Sequence, residues 1–238
     1  MASDYPSDKY EIILVDGGSN DHTLQIAKEY EIVKIVHSTN QSISNSRNLG
    51  AMIARGENFV FIDSDCLIDS RFLSRAQDYL QKYECYGAFY RPHEDSGWVS
   101  KVWLISERKR EGIVDWITAG TLAVSSKVFR EVGGFNEKMA TGEDVELCQR
   151  IRNCGYTIYN DPAVGSIHLG QADSIFEFFK KEMWRGKSMI KSLRLDISQN
   201  RYPIYPLAII SYLLAVCVFI VSLLFNNTFG MGASSLLL

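Results

Sequence analysis

The sequence lacks the cysteine spacing that is typical of disulfide frameworks and structural zinc sites. Its five cysteines are scattered, and no two of them are separated by just two residues. An odd number of cysteines without such pairs indicates reduced thiols in a cytosolic domain. The chain also lacks an excess of basic residues, since its formal net charge is −3. This charge balance argues against a nucleic-acid partner.

Charge is absent from the last part of the chain, because no Asp, Glu, Lys, Arg or His follows Arg201. Residues 207–225 form a continuous run dominated by Leu, Ile, Val, Ala and Phe. At about 1.5 Å per residue, a helix of this length spans a hydrocarbon core of roughly 30 Å. The alternative is a buried core helix, but such a helix normally keeps a polar face. We therefore predict a transmembrane helix over residues 203–226. Residues 227–238 form an apolar tail, which we expect to be the start of a second span.

Residues 171–202, just before the predicted span, are rich in basic and aromatic side chains. We predict an amphipathic interfacial helix here, with Phe176, Phe179, Met183 and Trp184 directed toward lipid or protein. Basic residues beside a span mark its cytoplasmic side. They are Lys180, Lys181, Arg185, Lys187, Lys191, Arg194 and Arg201. The sequence thus predicts a chain held at the cell membrane, with residues 1–170 in the cytoplasm.

Residues 1–170 alternate apolar runs with helical segments. The predicted strands cover residues 11–15, 31–36 and 58–62, and the predicted helices cover residues 23–30 and a segment from Ser44 or Asn45 to about residue 54. This order predicts one α/β domain, with a Rossmann-like, mostly parallel sheet and helices on both faces. Ligands bind beyond the C-terminal ends of strands in such sheets. Asp16, Asp63 and Asp65 lie at those ends.

The first chemical motif is the pair Asp63 and Asp65, which directly follows the apolar run 59–62. Residues i and i+2 of an extended chain point to the same side, so both carboxylates can face one cation. Mg²⁺ and Mn²⁺ prefer oxygen ligands and keep substrate phosphates in their shell. Such a cation improves a diphosphate as a leaving group. The alternative is a polar turn, in which Asp is common.

The second motif is Glu143-Asp144, at the start of a helix predicted over residues 143–153. One of these carboxylates could deprotonate an acceptor hydroxyl. Partial desolvation would bring the pKa of such a base toward neutrality. The alternative is that both residues only complement the helix dipole, which is worth roughly 0.3–1 kcal/mol.

Three further residues are candidates by position. Asp16 ends a strand beside a glycine pair and could accept a hydrogen bond from a nucleobase or ribose. Arg47 opens a helix and could reach a phosphate or base. His168 ends a strand and could bind the metal as a neutral imidazole. The alternatives are ordinary turn chemistry, a solvated arginine and a structural histidine.

The order and spacing of these motifs resemble those of the family 2 glycosyltransferases. The segments that carry the resemblance are EIILVDGGSNDHT (11–23), NSRNLG (45–50), RGENFVFIDSD (55–65), TAGTLAVSSKVFREVGGF (118–135), GEDVELCQRIRNCGY (142–156) and His168. The resemblance extends from Tyr5 to about His168. It implies a membrane-anchored, exopolysaccharide-type enzyme of the GT-A fold, which is inverting and uses a nucleotide sugar.

The resemblance also implies roles for individual residues. Asp144 would be the catalytic base, and Glu143 its neighbour at the acceptor site. Asp63, Asp65 and His168 would surround a divalent cation, Mg²⁺ or Mn²⁺, with Asp65 the more direct ligand. The implied nucleotide-sugar contacts are Asp16, Gly17, Ser19, Arg47, Asp63 and Ser64.

The sequence departs from the family pattern at three points. The family begins with a strand and helix that precede Tyr5-Pro6, so we expect this chain to be N-terminally incomplete. Many relatives carry an acidic residue where Gly17 stands, so one nucleotide contact is expected to be missing. No Gln-x-x-Arg-Trp motif follows, which argues against a processive polymer synthase.

We therefore predict an inverting glycosyltransferase. It would move a sugar from a UDP-linked donor to a hydroxyl of a lipid-linked or cell-surface glycan. Two alternatives stay open. One is a catalytically impaired, membrane-bound fragment that binds nucleotide sugars. The other is a metal-dependent nucleotidyltransferase, which would need a basic phosphate loop near the first strand, and Gly17-Gly18-Ser19 has no Lys or Arg nearby.

Overall fold

The computed structural model describes residues 3–40, 42–107 and 111–184. The chain divides into two compact units, residues 1–183 and residues 184–238. The predicted transmembrane helix (203–226), the tail (227–238) and the interfacial region beyond residue 184 lie outside the described residues. In the part of the chain that is described, no helix has both the length and the apolar character needed to cross a membrane.

The described residues form short strands and helices in alternation. The strands are β1 (Ile12–Asp16), β2 (Val33–His37), β3 (Asn58–Ile62), β4 (Cys66–Leu67), β5 (Cys85–Gly87), β6 (Gly112–Ile113), β7 (Thr121–Ser125), β8 (Ile158–Asn160) and β9 (Ile167–His168). The helices are α1 (Thr23–Ala27), α2 (Ile43–Ile53), α3 (Phe72–Tyr79), α4 (Trp98–Glu107), α5 (Ser126–Glu131), α6 (Glu143–Asn153) and α7, the helical residues 175–184.

The strands β1 and β2 form a parallel pair connected through α1, as the β-α-β pattern predicts. The register sets Asp16 opposite His37 at the C-terminal ends of both strands. Helix α2 packs closely on β1, because a Cβ atom on Gly50 would lie 3.3 Å from Cγ2 of Val15. The packing of α2 therefore fixes the end of β1 relative to the first turns of that helix.

Helix α2 begins two or three residues earlier than the sequence predicts. Its cap is Ser42, whose hydroxyl accepts a hydrogen bond from the N–H of Asn45 (3.5 Å). The predicted caps, Ser44 and Asn45, lie inside the first turn, and Ser44 is buried. The prediction was wrong because several polar residues in a row could each cap, and tertiary packing selects among them.

The main sheet has five strands in the order β3-β7-β5-β8-β6. Only β5 and β8 are parallel, whereas the pairs β3–β7, β5–β7 and β6–β8 are antiparallel. The sheet is thus mixed, and the prediction of a mostly parallel sheet is wrong. The β-α-β pattern constrains only strands that follow one another directly. Strand β3 pairs with β7, which follows after a long connection in the chain and runs in the opposite direction.

Side chains alternate between the two faces of this sheet, and helices cover both faces as predicted. On one face, Phe61 packs edge-on against Phe135 with ring centroids 5.0 Å apart. Leu147 and Ile151 of α6 join this core. The opposite face buries Phe72, Ala76, Tyr86, Ala123 and Val164, with α3 as its cover. Burial on both faces places β7 and β5 at the centre of the domain.

Helix α6 has the predicted bounds. Gly142 precedes it with φ +75°, a left-handed conformation that glycine adopts at low cost. Its first turn carries Glu143, Asp144 and Glu146, and its last turn carries Arg150 and Arg152. These charges complement the helix dipole at both ends. The alternative reading of Glu143 and Asp144 as dipole partners is therefore compatible with the structure.

Helix α7 presents an apolar stripe. Phe178 packs edge-on against Trp103 of α4, with ring centroids 5.1 Å apart. The four side chains predicted to face lipid or protein are each at least half exposed: Phe176, Phe179, Met183 and Trp184. Their contact with a membrane stays a prediction.

Asn48 of α2 fixes the segment after α5. Its Nδ2 donates to the carbonyl oxygen of Phe135 (2.9 Å), and its Oδ1 accepts from the N–H of the same residue (2.8 Å). Asn48→Ala removes both bonds and also the exposed bond from Nδ2 to Oε1 of Glu137 (2.9 Å), so we expect the free energy of unfolding to fall by about 1–3 kcal/mol. Chemical denaturation of the 238-residue chain measures this loss. As a control, Asn58→Ala removes one exposed 3.3 Å bond to Gln77 and should cost at most about 0.5 kcal/mol. Equal losses in both variants would contradict the prediction.

Candidate functional site

The two aspartates after β3 occupy a tight turn. The N–H of Cys66 donates to the carbonyl oxygen of Asp63 (3.0 Å), and β4 begins at Cys66. Ser64 lies exposed at the tip of the turn. The side chain of Asp63 is 29% exposed, and that of Asp65 is 48% exposed. Asp65 is thus the more accessible of the two carboxylates.

The pairing of β4 with β9 brings a histidine to this turn. Cys66 lies opposite His168, and the Nε2 of His168 is 3.6 Å from Oδ2 of Asp65. One possible ligand atom from each of Asp63, Asp65, Cys66 and His168 lies within 4.8 Å of the other three. We call these four residues the ligand group. Carboxylate oxygens fit Mg²⁺ or Mn²⁺, and the added nitrogen and sulfur fit Mn²⁺ better than Mg²⁺.

Two members of the ligand group hold protons in this arrangement. Nδ1 of His168 accepts a hydrogen bond from the N–H of Gly170 (3.1 Å), so a neutral ring carries its proton on Nε2, facing Asp65. Burial and the charge of Asp63 raise the pKa of the Cys66 thiol to about 12. A cation would have to displace either proton before binding that atom. The carboxylates of Asp63 and Asp65 are therefore the ligands that are ready for a cation.

Both carboxylate oxygens of Asp63 accept hydrogen bonds. Nη2 of Arg47 donates to Oδ1 (2.5 Å), and the hydroxyl of Tyr90 donates to Oδ2 (3.0 Å). The Tyr90 oxygen in turn accepts a bond from the hydroxyl of Thr118 (2.9 Å). Two donors with separate origins fix the plane of this carboxylate, so it is oriented before any ligand binds.

Arg47 also reaches the start of α6. Its Nη1 donates to Oε1 of Glu143 at 2.6 Å. The side chains of Arg47 and Glu143 are only 13% and 11% exposed. The guanidinium thus balances two carboxylates that burial would otherwise destabilise, and removing one partner of such a network typically costs about 3–5 kcal/mol. The structure places Arg47 between Asp63 and Glu143, and its expected contact with the nucleotide stays a prediction.

Asp144 follows directly and lies against the segment before β7. Its Oδ2 accepts the N–H of Ala119 (3.2 Å), and its Oδ1 accepts the N–H of Val145 (2.8 Å). Desolvation, followed by the charge of Glu143, raises the pKa of Asp144 to about 6. The side chain therefore changes charge near neutral pH, which suits a general base. Gly120 follows Ala119 in the chain, and a Cβ atom on Gly120 would lie 2.8 Å from Oδ2 of Asp63. Residues 119–120 therefore adjoin the carboxylates of both Asp63 and Asp144.

The loop after β1 forms a second group. The carboxylate of Asp16 accepts the N–H groups of Gly18 (3.1 Å) and Ser19 (3.1 Å). Hydrogen bonds from Ser19 are the main cause of the lowered pKa of Asp16. Asp16 is 4% exposed, whereas Gly17 and Ser19 are exposed. Asp16 thus shapes its own turn and presents its neighbours to solvent.

Three contributors to the site were missed by the sequence analysis. Tyr90 lies in the irregular stretch between β5 and α4, where no motif indicated a role. Thr118 begins the segment 118–135 that carries the family resemblance, but nothing in the sequence indicated its contact with Tyr90. Cys66 had one available signal, which was its position beside Asp65, but its approach to His168 depends on the pairing of distant strands.

The sequence of the chain is similar to that of known glycosyltransferases. The model of the family described as Glycosyl transferase family 2 matches residues 2–133. The "Glycosyltransferase AglE" of Haloferax volcanii is 27% identical over 204 residues, covering 81% of this chain and 66% of that protein. The "Putative glycosyltransferase EpsH" of Bacillus subtilis is 44% identical over 66 residues, covering 26% of this chain and 19% of that protein. The chain thus spans less than two thirds of the length of these relatives.

Solved structures share the fold. TarS 1–349 of S. aureus, in complex with UDP, aligns with a TM-score of 0.56 at 20% identity, covering 69% of this chain and 52% of that 1–349 chain. The mannosyltransferase PcManGT of Pyrobaculum calidifontis, in complex with GDP-Man and Mn²⁺, aligns with a TM-score of 0.62 at 20% identity, covering 81% of this chain and 57% of that protein. These likenesses support the GT-A-like α/β fold that the family resemblance implies, with the mixed sheet that the structure shows.

The raised pKa of Asp144 gives a test of its environment. Because the pKa is about 6 in the folded chain, above its ordinary value of 3.8, ionisation of Asp144 lowers stability progressively between these two pH values, and the full cost is present above about pH 6. We expect Asp144→Asn to raise the melting temperature at pH 7.5. The gain should shrink as the pH falls from 6 to 4, where the wild-type carboxyl is protonated. Asp78→Asn, at an exposed position of α3, is the control. An equal gain in melting temperature at pH 7.5 and at pH 4 for Asp144→Asn would refute the prediction.

Proposed function

The chain belongs to glycosyl transferase family 2, and we propose that it transfers a sugar from a nucleotide diphosphate sugar to an acceptor hydroxyl with inversion at the anomeric carbon. The proposal depends on one observation, which is that Arg47 connects the ligand group to the helix start that carries Asp144, the carboxylate with the raised pKa. Arg47 bridges Asp63 and Glu143, and Asp144 follows Glu143 directly. A site for a departing diphosphate thus adjoins a base.

The donor is proposed from the solved relatives. TarS was crystallised with UDP and with UDP-GlcNAc, and PcManGT with GDP-Man and Mn²⁺. We propose a UDP-linked sugar for this chain. Gly17 and Ser19, exposed on the turn that Asp16 shapes, would contact the nucleotide, together with Ser64 at the tip of the aspartate turn.

In the proposed reaction, Asp144 accepts the proton of the acceptor hydroxyl. The oxygen then attacks the anomeric carbon from the face opposite the diphosphate, the bond to the diphosphate breaks, and the configuration inverts. Asp63 and Asp65 would hold a divalent cation, Mg²⁺ or Mn²⁺, which offsets the charge on the diphosphate. Arg47 lies between Glu143 and Asp63, so its positive charge offsets part of the repulsion between these carboxylates and a negatively charged donor.

We further propose that the acceptor is a lipid-linked or cell-surface glycan and that the chain works at the cytoplasmic face of the cell membrane. The support is the exposed apolar stripe of α7, with Phe176 and Phe179. The basic residues and the apolar run that follow it in the sequence add to this support.

Catalysis is tested by incubating the chain with UDP-sugars, Mn²⁺ and a membrane lipid extract. We expect UDP release and a labelled lipid product, with kcat/KM rising as the pH increases through about 6 and Asp144 loses its proton. Asp144→Asn should lower kcat at least about 100-fold while UDP still binds, and Asp78→Asn should leave kcat unchanged. Release of pyrophosphate from UTP would instead support a nucleotidyltransferase. UDP binding without turnover in the wild type would support a binding fragment.

Membrane attachment is tested by washing membranes from expressing cells at pH 11. Because an apolar span resists extraction, we expect the 238-residue chain to remain in the pellet. Protease should cleave residues 1–170 in inside-out vesicles and spare them in intact cells. Recovery in the wash supernatant, or cleavage in intact cells, would count against this location.

A further inference from the structure

Tyr90 contacts the ligand group from its buried side. Its hydroxyl donates to Oδ2 of Asp63 (3.0 Å) and accepts from the hydroxyl of Thr118 (2.9 Å). Its ring lies edge-on to that of His168, with centroids 4.7 Å apart and an interplanar angle of 70°. One side chain thus touches residues from the turn after β3, from the segment before β7 and from β9.

The backbone around Tyr90 is fixed on the side of β9. The N–H of Arg91 donates to the carbonyl oxygen of Ser166 (2.7 Å), and Nε of Arg91 donates to the carbonyl oxygen of Gly165 (2.8 Å). Arg91 also forms an isolated parallel bridge with Ile167. Tyr90 and His168 therefore lie on adjacent extended segments that are hydrogen-bonded to each other.

The space for the hydroxyl depends on Gly120. A Cβ atom at this position would overlap the Tyr90 hydroxyl oxygen and would lie 2.8 Å from Oδ2 of Asp63. Gly120 thus leaves room for the hydrogen bond between the phenol and the carboxylate.

The hydrogen-bond chain has a fixed direction. A phenol has one proton, and an ionised carboxylate can only accept, so the Tyr90 proton lies toward Asp63. The lone pairs of the phenol are then free for the Thr118 hydroxyl. Replacing the phenol by a phenyl ring removes this donor, while Arg47 still holds the other oxygen of Asp63.

We propose that Tyr90 is a positioning residue for the cation site, acting through Asp63 and His168, with Thr118 orienting its hydroxyl. The inference rests on the proposed function, because it assumes that the ligand group binds a divalent cation. Tyr90 touches no substrate atom in this role. It orients the carboxylate of Asp63 and the ring of His168 before the cation binds, so that these two side chains do not have to be ordered during binding.

The test is a titration of the 238-residue chain with Mn²⁺ alone, followed by electron paramagnetic resonance of free Mn²⁺. We expect Tyr90→Phe to weaken Mn²⁺ binding about tenfold to a hundredfold, as is typical when a residue behind a metal ligand is removed. Tyr159→Phe is the matched control, since its hydroxyl donates to Glu111 at an exposed site, and it should bind Mn²⁺ within about twofold of wild type.

Turnover separates positioning from a general structural role. In Tyr90→Phe, the Mn²⁺ concentration for half-maximal rate should rise by the same factor as the dissociation constant, and kcat should recover at saturating Mn²⁺. A variant that is merely damaged would lose kcat at every Mn²⁺ concentration, and that result would overturn the proposal. Wild-type Mn²⁺ affinity in a folded Tyr90→Phe chain would also overturn it.

Two further outcomes are decisive. If Tyr90→Phe does not fold, Thr118→Val carries the test, because it keeps the tyrosine and removes only the donor to its oxygen. Weaker Mn²⁺ binding by Thr118→Val supports the proposal, and unchanged binding overturns it. If the wild-type chain binds no Mn²⁺ even with UDP present, the cation site itself is wrong. That result differs from a failure of Tyr90 alone, in which the wild type binds and the variants bind equally.

Discussion

The site depends on one buried cation, the guanidinium of Arg47. It holds Asp63 from the end of β3 and Glu143 from the start of α6 at 2.5 Å and 2.6 Å. Without a positive charge between them, two carboxylates with little exposure would repel each other and lose hydration. Arg47 can occupy this position because α2 is fixed at two places, against β1 at Gly50 and against Phe135 through Asn48. The junction of three elements is therefore electrostatic as well as apolar.

Much of the fold follows from local sequence signals. The bounds of β3 and α6 agree with the prediction, because an apolar run and a glycine-acid helix start are short-range features. Strand direction is not a short-range feature. The pairing of β3 with β7 is antiparallel, and nothing in the apolar residues of either strand indicates which way the other runs. The sequence alternation was therefore sufficient for an α/β domain and insufficient for the mixed sheet.

The candidate site divides in the same way. The acidic residues were identifiable because Asp-x-Asp after a strand and Glu-Asp at a helix start are contiguous motifs. Their surroundings were not, since Tyr90 and Thr118 meet Asp63 only through the fold. The role of Asp16 illustrates a further limit. Its type and position suit a ligand, yet its oxygens accept N–H groups of its own turn, and only coordinates reveal that use.

The short ladder between β4 and β9 has a consequence for local opening of the fold. It contains two residue pairs, and such a small sheet has little stability of its own. Segments of this kind open at a small fraction of the global unfolding free energy. Asp65 and His168 therefore lie on a ladder whose stability depends on its neighbours, such as the bridge between Arg91 and Ile167, whereas Asp144 lies on an eleven-residue helix with a buried face. Local opening of the ladder would separate Asp65 from His168 and leave the helix that carries Asp144 intact.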